Sequence, residues 1–120
     1  MEPKTNYWVI PAIVKVRKIT VTEFIAAYCD VQGVSVEMVM RNTNKRETVI
    51  HRQLLMYLIN INFKNMLLER IGEIFGRDYS TVIYSRKTVI DKIRCGKSYA
   101  KMLQQLLGPL SLKLGQEVSI

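Results

Sequence analysis

From Thr20 onward apolar residues recur three and four positions apart, the period of a helix packed on one side. Thr20-Val21-Thr22-Glu23 has the form of a capping box and predicts a first helix through Phe24, Ile25 and Tyr28 that stops before Gly33. Ser35 caps a short second helix with Val36, Val39 and Met40 on one face. The polar stretch 41–46, rich in Asn and Thr, reads as a loop. Over about 48–63 the apolar positions (Val49, Ile50, Leu54, Leu55, Tyr57, Leu58, Ile59, Ile61) go almost all the way round, as in a central, buried helix. A shorter helix over about 65–75 follows, with Leu67, Leu68, Ile71, Ile74 and Phe75 at helical spacing, and Gly76 closes it. Asp78 or Tyr79 opens the next, which runs to about Arg94 with Val82, Ile83, Val89, Ile90 and Ile93 as apolar positions before Gly96 breaks it. A last helix over 98–107 is expected to end at Gly108-Pro109.

The two ends read differently. Residues 7–13 are aromatic and β-branched, and Pro3 and Pro11 oppose helix, so 1–19 is expected to be an extended arm packed on the domain. Residues 109–120 are expected to form an extended or loose tail. The expected architecture is all-α: a compact bundle of about six helices over 20–108, containing a helix-turn-helix, between the arm and the tail.

Composition narrows the partners. The chain has 120 residues, of which 48% are hydrophobic, enough for one core. Eighteen Lys and Arg against ten Asp and Glu give a net charge of +8, which attracts polyanions such as nucleic acid, anionic lipid or acidic proteins without choosing among them. Cys29 and Cys95 have no metal-ligand spacing, and Cys29 sits in an apolar run as a buried thiol would. His51 has no Cys or His neighbour and no evident nucleophile, and the carboxylates are few and scattered. The expectation is a protein that is not an enzyme and uses neither cofactor nor metal. The start lacks a secretory signal, and the apolar stretch 8–14 is short and broken by Pro11. The protein is therefore expected to be cytoplasmic, associated with the nucleoid, and without a membrane partner.

The helices flanking Gly76 carry the chemistry. A helix, a tight turn with one Gly and a second helix outline a helix-turn-helix, in which the first residues of the second helix face base edges in the major groove. Those residues are Arg77, Asp78, Tyr79, Ser80 and Thr81, all able to hydrogen-bond. Arg77 can hold phosphate or pair with guanine, and Ser80 and Thr81 can donate to phosphate or touch bases. Asp78 can accept from cytosine N4, or it can simply cap the helix. Ordinary capping with a solvated Arg77 accounts for the same residues.

Three motifs in order resolve that balance. Arg52-Gln53-Leu54-Leu55-Met56-Tyr57-Leu58, Arg70-Ile71-Gly72-Glu73-Ile74-Phe75 and Gly76-Arg77-Asp78-Tyr79-Ser80-Thr81-Val82 make residues 20–107 resemble the C-terminal DNA-binding domain of the bacterial replication initiator DnaA, a Trp-repressor-like helix-turn-helix. The resemblance implies that Arg77, Asp78, Tyr79, Ser80 and Thr81 meet the major groove and adjacent phosphates. It places Arg46 where the family has a minor-groove arginine, supported by Lys45. Arg52, Arg86 and Lys87 are candidate phosphate contacts. Tyr79 stands where the family usually has His, a single Gly76 replaces two, Glu69 takes the place of a Pro, and the basic loop is thinner. These differences point to a changed target site more than to an absence of DNA binding.

No Gly-x-x-x-x-Gly-Lys-Ser/Thr P-loop accompanies these motifs, so a free-standing DNA-binding module is expected rather than an initiator. The partner is double-stranded DNA, in transcription or replication control, for instance of a mobile element or phage. One module buries a modest interface, which leaves room for a homodimer or a protein partner. The alternative is a protein–protein adaptor that keeps the fold without binding DNA, using the apolar segment 7–14 and the leucine-rich stretch 103–114 as surfaces. An RNA partner has less support, since no RNA-binding motif or aromatic stacking platform is present.

Overall fold

The computed structural model describes residues 18–120, so the arm expected over 1–19 lies outside the described residues except for its last two. The helices are α1 (Val21–Gln32), α2 (Val36–Met40), α3 (Arg46–Asn62), α4 (Leu68–Ile74), α5 (Tyr79–Cys95) and α6 (Lys97–Leu114), and no strand occurs among the described residues. The all-α bundle expected from the periodicity is what forms. Its first start signal works as read: Thr20 Oγ1 accepts from the Glu23 amide at 3.1 Å while Glu23 Oε1 accepts from the Thr20 amide at 2.9 Å.

α3 is the axis of the bundle. Leu54, Leu55, Met56, Tyr57, Leu58 and Ile59 are all buried, because α1, α2, α4 and α5 pack around the helix. Each such side chain contributes about 1.5–3 kcal/mol by leaving water. His51 ties α3 to α1. The Tyr28 hydroxyl, fully buried, lies 2.8 Å from His51 Nδ1 and also accepts from Gln32 Nε2 at 3.4 Å. The lone histidine is thus a half-buried residue that bridges two helices, and burial lowers its pKa. Cys29 is buried and Cys95 exposed, both as free thiols.

The C-terminal part corrects the expected stop at Gly108-Pro109. α6 runs through Pro109 to Leu114, where Gly115 ends it. Pro costs about 3 kcal/mol inside a helix. Here it removes one bond on the exposed side, while Leu103, Leu106 and Leu110 continue a buried stripe against α1 and α5. Lys113 adds an ion pair to Asp30 of α1. The last residues are held as well: Asn62 Nδ2 donates to the Ser119 carbonyl at 3.1 Å, Asn62 Oδ1 accepts from the Ser119 amide at 2.9 Å, and Val118 is buried. The leucines of 103–114, a partner surface on the adaptor reading, therefore mostly face inward; Leu112 is the exposed exception.

Candidate nucleic-acid interface

The turn between α4 and α5 is built from backbone geometry. The Arg77 amide donates to the Gly72 carbonyl at 2.8 Å and the Gly76 amide to the Glu73 carbonyl at 3.1 Å. These are the paired bonds of a Schellman end, with Gly76 in the left-handed conformation at φ 68°. Gly72 has a separate role. A Cβ there would sit 2.5 Å from the Arg77 carbonyl oxygen and 3.1 Å from the Asp78 carbonyl carbon and oxygen. The turn folds back onto the α4 backbone so closely that only hydrogen fits.

Asp78 then starts α5 as its N-cap. Its Oδ1 accepts from the Ser80 hydroxyl at 2.7 Å, the Thr81 hydroxyl at 3.2 Å and the Thr81 amide at 3.3 Å. Of the two roles open to Asp78 in the sequence, capping is realised, and Oδ2 has no intramolecular bond among the described residues. The Ser80 hydroxyl, then the Thr81 amide and hydroxyl, hold the carboxyl below its ordinary pKa. A lowered carboxyl pKa stabilises the fold above the ordinary Asp value and loses that contribution as pH falls through the lowered value. Asp78→Ala should therefore be less stable than the parent at neutral pH, with the gap closing under acid. Asp78→Asn, an equally good cap, should stay near the parent. Thermal melts followed by circular dichroism from pH ~7 to ~2 test this. A gap that persists at the acid end would assign the loss to something other than the ionised cap.

One face of α5 stands clear of the core. Tyr79, Ser80, Ile83, Tyr84 and Lys87 are exposed at successive turns, while Val82, Ser85 and Val89 are buried. Ile83, one of the apolar positions of this helix in the sequence, is 39% exposed, and Tyr84 is 64% exposed. Both lie one turn beyond Tyr79 and Ser80 on the same stripe. The i,i+4 spacing carried that signal, but an isoleucine in an apolar pattern reads as core. Thr81 is half-buried, and so is Arg86, whose Nη1 donates to Asn60 Oδ1 of α3 at 3.3 Å. Arg86 is therefore partly committed to packing.

The basic segment differs from its expectation in two ways. α3 begins at Arg46, with Lys45 as an N-cap that makes no side-chain cap bond, so the pair sits at a helix start rather than in a loop. Cations there oppose the helix dipole, a local cost that a nearby polyanion would offset. Arg52, a candidate phosphate contact, is only 6% exposed. Its Nη1 donates to the Arg41 carbonyl and its Nη2 to the Thr43 carbonyl, both at 3.2 Å, so both ends of the fork are spent on the loop ahead of α3. Arg52 holds that loop while Arg41, Lys45 and Arg46 stay exposed around it. Its pKa is lowered by burial first and by the charge of Arg77 second. Among the described residues no group of three or more His, Cys, Asp and Glu is placed to hold a metal, and no helix is long and apolar enough to cross a membrane.

A short helix, a Schellman turn and a capped second helix with one open face define a helix-turn-helix of the DNA-binding kind. The family model described as the bacterial dnaA protein helix-turn-helix matches residues 13–89, and the chain belongs to that family. Among curated proteins it is similar to the chromosomal replication initiator protein DnaA 2 of Chlamydia caviae, 34% identical over 79 residues that cover 66% of this chain and 17% of that protein. It is also similar to the DnaA protein of Caldanaerobacter subterraneus subsp. tengcongensis, 28% identical over 92 residues (77% of this chain, 20% of that protein). The match to the DnaA protein of Microcystis aeruginosa is 40% identical over 70 residues (58% of this chain, 15% of that protein). The chain thus spans about a fifth or less of the length of these relatives.

Proposed function

We propose that the chain reads duplex DNA sequence-specifically, in replication or transcription control within the cytoplasm and its nucleoid. The observation that carries the reading is the open N-terminal face of α5, flanked by Arg77 and by the loop that Arg52 holds. In this reading Tyr79 and Ser80 meet base edges in the major groove, Asp78 offers its free oxygen to a base amino group, and Ile83, Tyr84 and Lys87 continue the interface along the groove. Thr81 supports Asp78. Arg46 and Lys45, with Arg41, take the minor groove and backbone, where affinity comes from phosphate neutralisation.

Fluorescence anisotropy against a duplex carrying the initiator family's recognition sequence and against a scrambled duplex, each at two salt concentrations, tests this. Tighter binding to the first supports sequence reading. Equal, salt-sensitive binding to both keeps a DNA binder with another preference, and no binding at low salt removes the proposal. Lys45→Ala with Arg46→Ala should flatten the plot of log affinity against log salt by roughly one unit for every phosphate no longer neutralised. Tyr79→Ala or Ser80→Ala should instead narrow the gap between target and scrambled DNA, by about 1–3 kcal/mol where the truncated side chain had made a good hydrogen bond to a base.

A further inference from the structure

A groove of about 910 Å³ opens away from the basic loop, between the start of α1, the α3–α4 connection and the C-terminal tail. The loop leads into the N-terminus of α3 and the groove is lined from its C-terminus, Asn62 and Phe63. A helix rises 1.5 Å per residue, so the two sites are separated by roughly 25 Å along α3. The floor is apolar: Phe24, Phe63, Met66, Leu114 and Val118, with the two phenyl rings edge to face at 5.6 Å. The rim is basic. Lys18, Lys64 and Arg70 stand around it against a single carboxylate, Glu117. Lys18 and Lys64 form no ion pair among the described residues, and Arg70 shares a solvent-exposed pair with Glu73.

Leu67, on the lip of this groove, breaks a local rule. It is the N-cap of α4, where a Ser, Thr, Asp or Asn would satisfy free amides. The N-caps of α1, α2 and α5 (Thr20, Ser35 and Asp78) each accept a hydrogen bond from the helix they open, whereas Lys45 of α3 and Gly96 of α6, like Leu67, make no side-chain cap bond; Leu67 alone of these three is a large apolar residue. Leu67 accepts none and is 70% exposed. A position that forgoes a cap and leaves a large apolar side chain in water, beside an open apolar floor, costs stability unless something covers it.

We propose that this groove docks a short segment of a partner protein in which large apolar side chains lie next to Asp or Glu. The apolar anchors enter over Phe24 and Phe63 against Leu67, and the carboxylates meet Lys18, Lys64 and Arg70. The site is separate from the DNA-facing helix, so the protein can hold both partners at once.

The test is selection of a random-peptide library displayed on phage against the protein, with the most enriched peptide then synthesised and titrated. Leu67→Asp removes the apolar lip, adds a repelling charge and supplies the missing cap, so it should fold at least as well as the parent. Lys64→Glu reverses a rim charge without touching the floor. The expected result is enrichment of Trp, Phe or Leu beside Asp or Glu, with binding weakened at least about tenfold by Leu67→Asp and clearly weakened by Lys64→Glu. Peptides lacking acidic residues, binding indifferent to both variants, or no enrichment would each overturn the proposal. Trp8, the only tryptophan, supplies one more arm. Blue-shifted emission in the free protein that moves red in Leu67→Asp would give the groove to this chain's own residues 7–14, and the partner reading would fall.

Discussion

Gly72→Ala is expected to remove DNA binding and to destabilise the fold by about 1–3 kcal/mol, the range for forcing extra atoms into a filled site. The added methyl would lie 2.5 Å from the Arg77 carbonyl oxygen, and that neighbour is backbone, so no side chain can swing aside. Relief requires the turn to move off α4, which pulls Arg77 and the Asp78 cap away together. Gly76→Ala is the instructive contrast. Its Cβ would meet nothing within 4 Å, yet φ is 68°, so the cost is conformational, roughly 1–2 kcal/mol. Gly76→Asn should recover part of it, since Asn tolerates the left-handed region, and no substitution at position 72 should do so. Urea unfolding beside the anisotropy titration separates the two. A Gly72→Ala protein of parental stability would mean that the turn is looser than the geometry requires.

Arg52→Met should behave in the opposite way, with small loss of stability and large loss of affinity. The guanidinium is buried without a carboxylate, so removing it relieves a desolvation cost. The loop carbonyls it leaves belong to exposed Arg41 and half-exposed Thr43, which water can reach. Unfolding free energy should change by less than about 1 kcal/mol. Affinity for duplex DNA should fall roughly 10- to 100-fold, or about 1.4–2.8 kcal/mol, because the loop cations lose their fixed position. Arg52→Lys should not rescue it, since a single ammonium nitrogen lacks the planar guanidinium whose two separate nitrogens reach the Arg41 and Thr43 carbonyls. A double-mutant cycle distinguishes this from direct binding of phosphate by Arg52. Adding Arg52→Met to the Lys45→Ala, Arg46→Ala pair should cause little further loss if all three act through one loop, and an additive loss if Arg52 meets DNA itself.

These contrasts show where the sequence is readable. The Thr20 capping box, the all-round apolar run of α3 and the glycine that ends α4 are local signals and each element forms, although α3 begins at Arg46, earlier than the apolar run suggests, and α4 at Leu68, later than the expected start near residue 65. The features that mislead depend on packing or partners that residue type alone does not record. Pro109 looks like a stop until Leu110 is seen to be buried against helices formed much earlier. Arg52 looks like a surface cation in a motif, but its partners are carbonyls nine and eleven residues back, which no side-chain pattern records. Ile83 reads as inward on its residue type, although its register with Tyr79 sets it outward. At the site, the turn and the cap are legible, but the division of labour is not: Asp78 organises Ser80 and Thr81, and Arg52 organises a loop.

The positive charge gathered on exposed Arg41, Lys45 and Arg46, at the uncapped start of α3, has a thermodynamic consequence for the unbound protein. That surface is frustrated without a counterion, so simple salts should act on the two states in opposite senses. Rising ionic strength weakens the hold on nucleic acid by competing for the cations, and it screens the repulsion within the free domain. Sulfate or phosphate should raise the melting temperature of the protein alone while loosening it from DNA. The conditions that keep the purified protein longest are then those in which it binds least, and the polyanion doubles as the ligand that relieves its own binding surface.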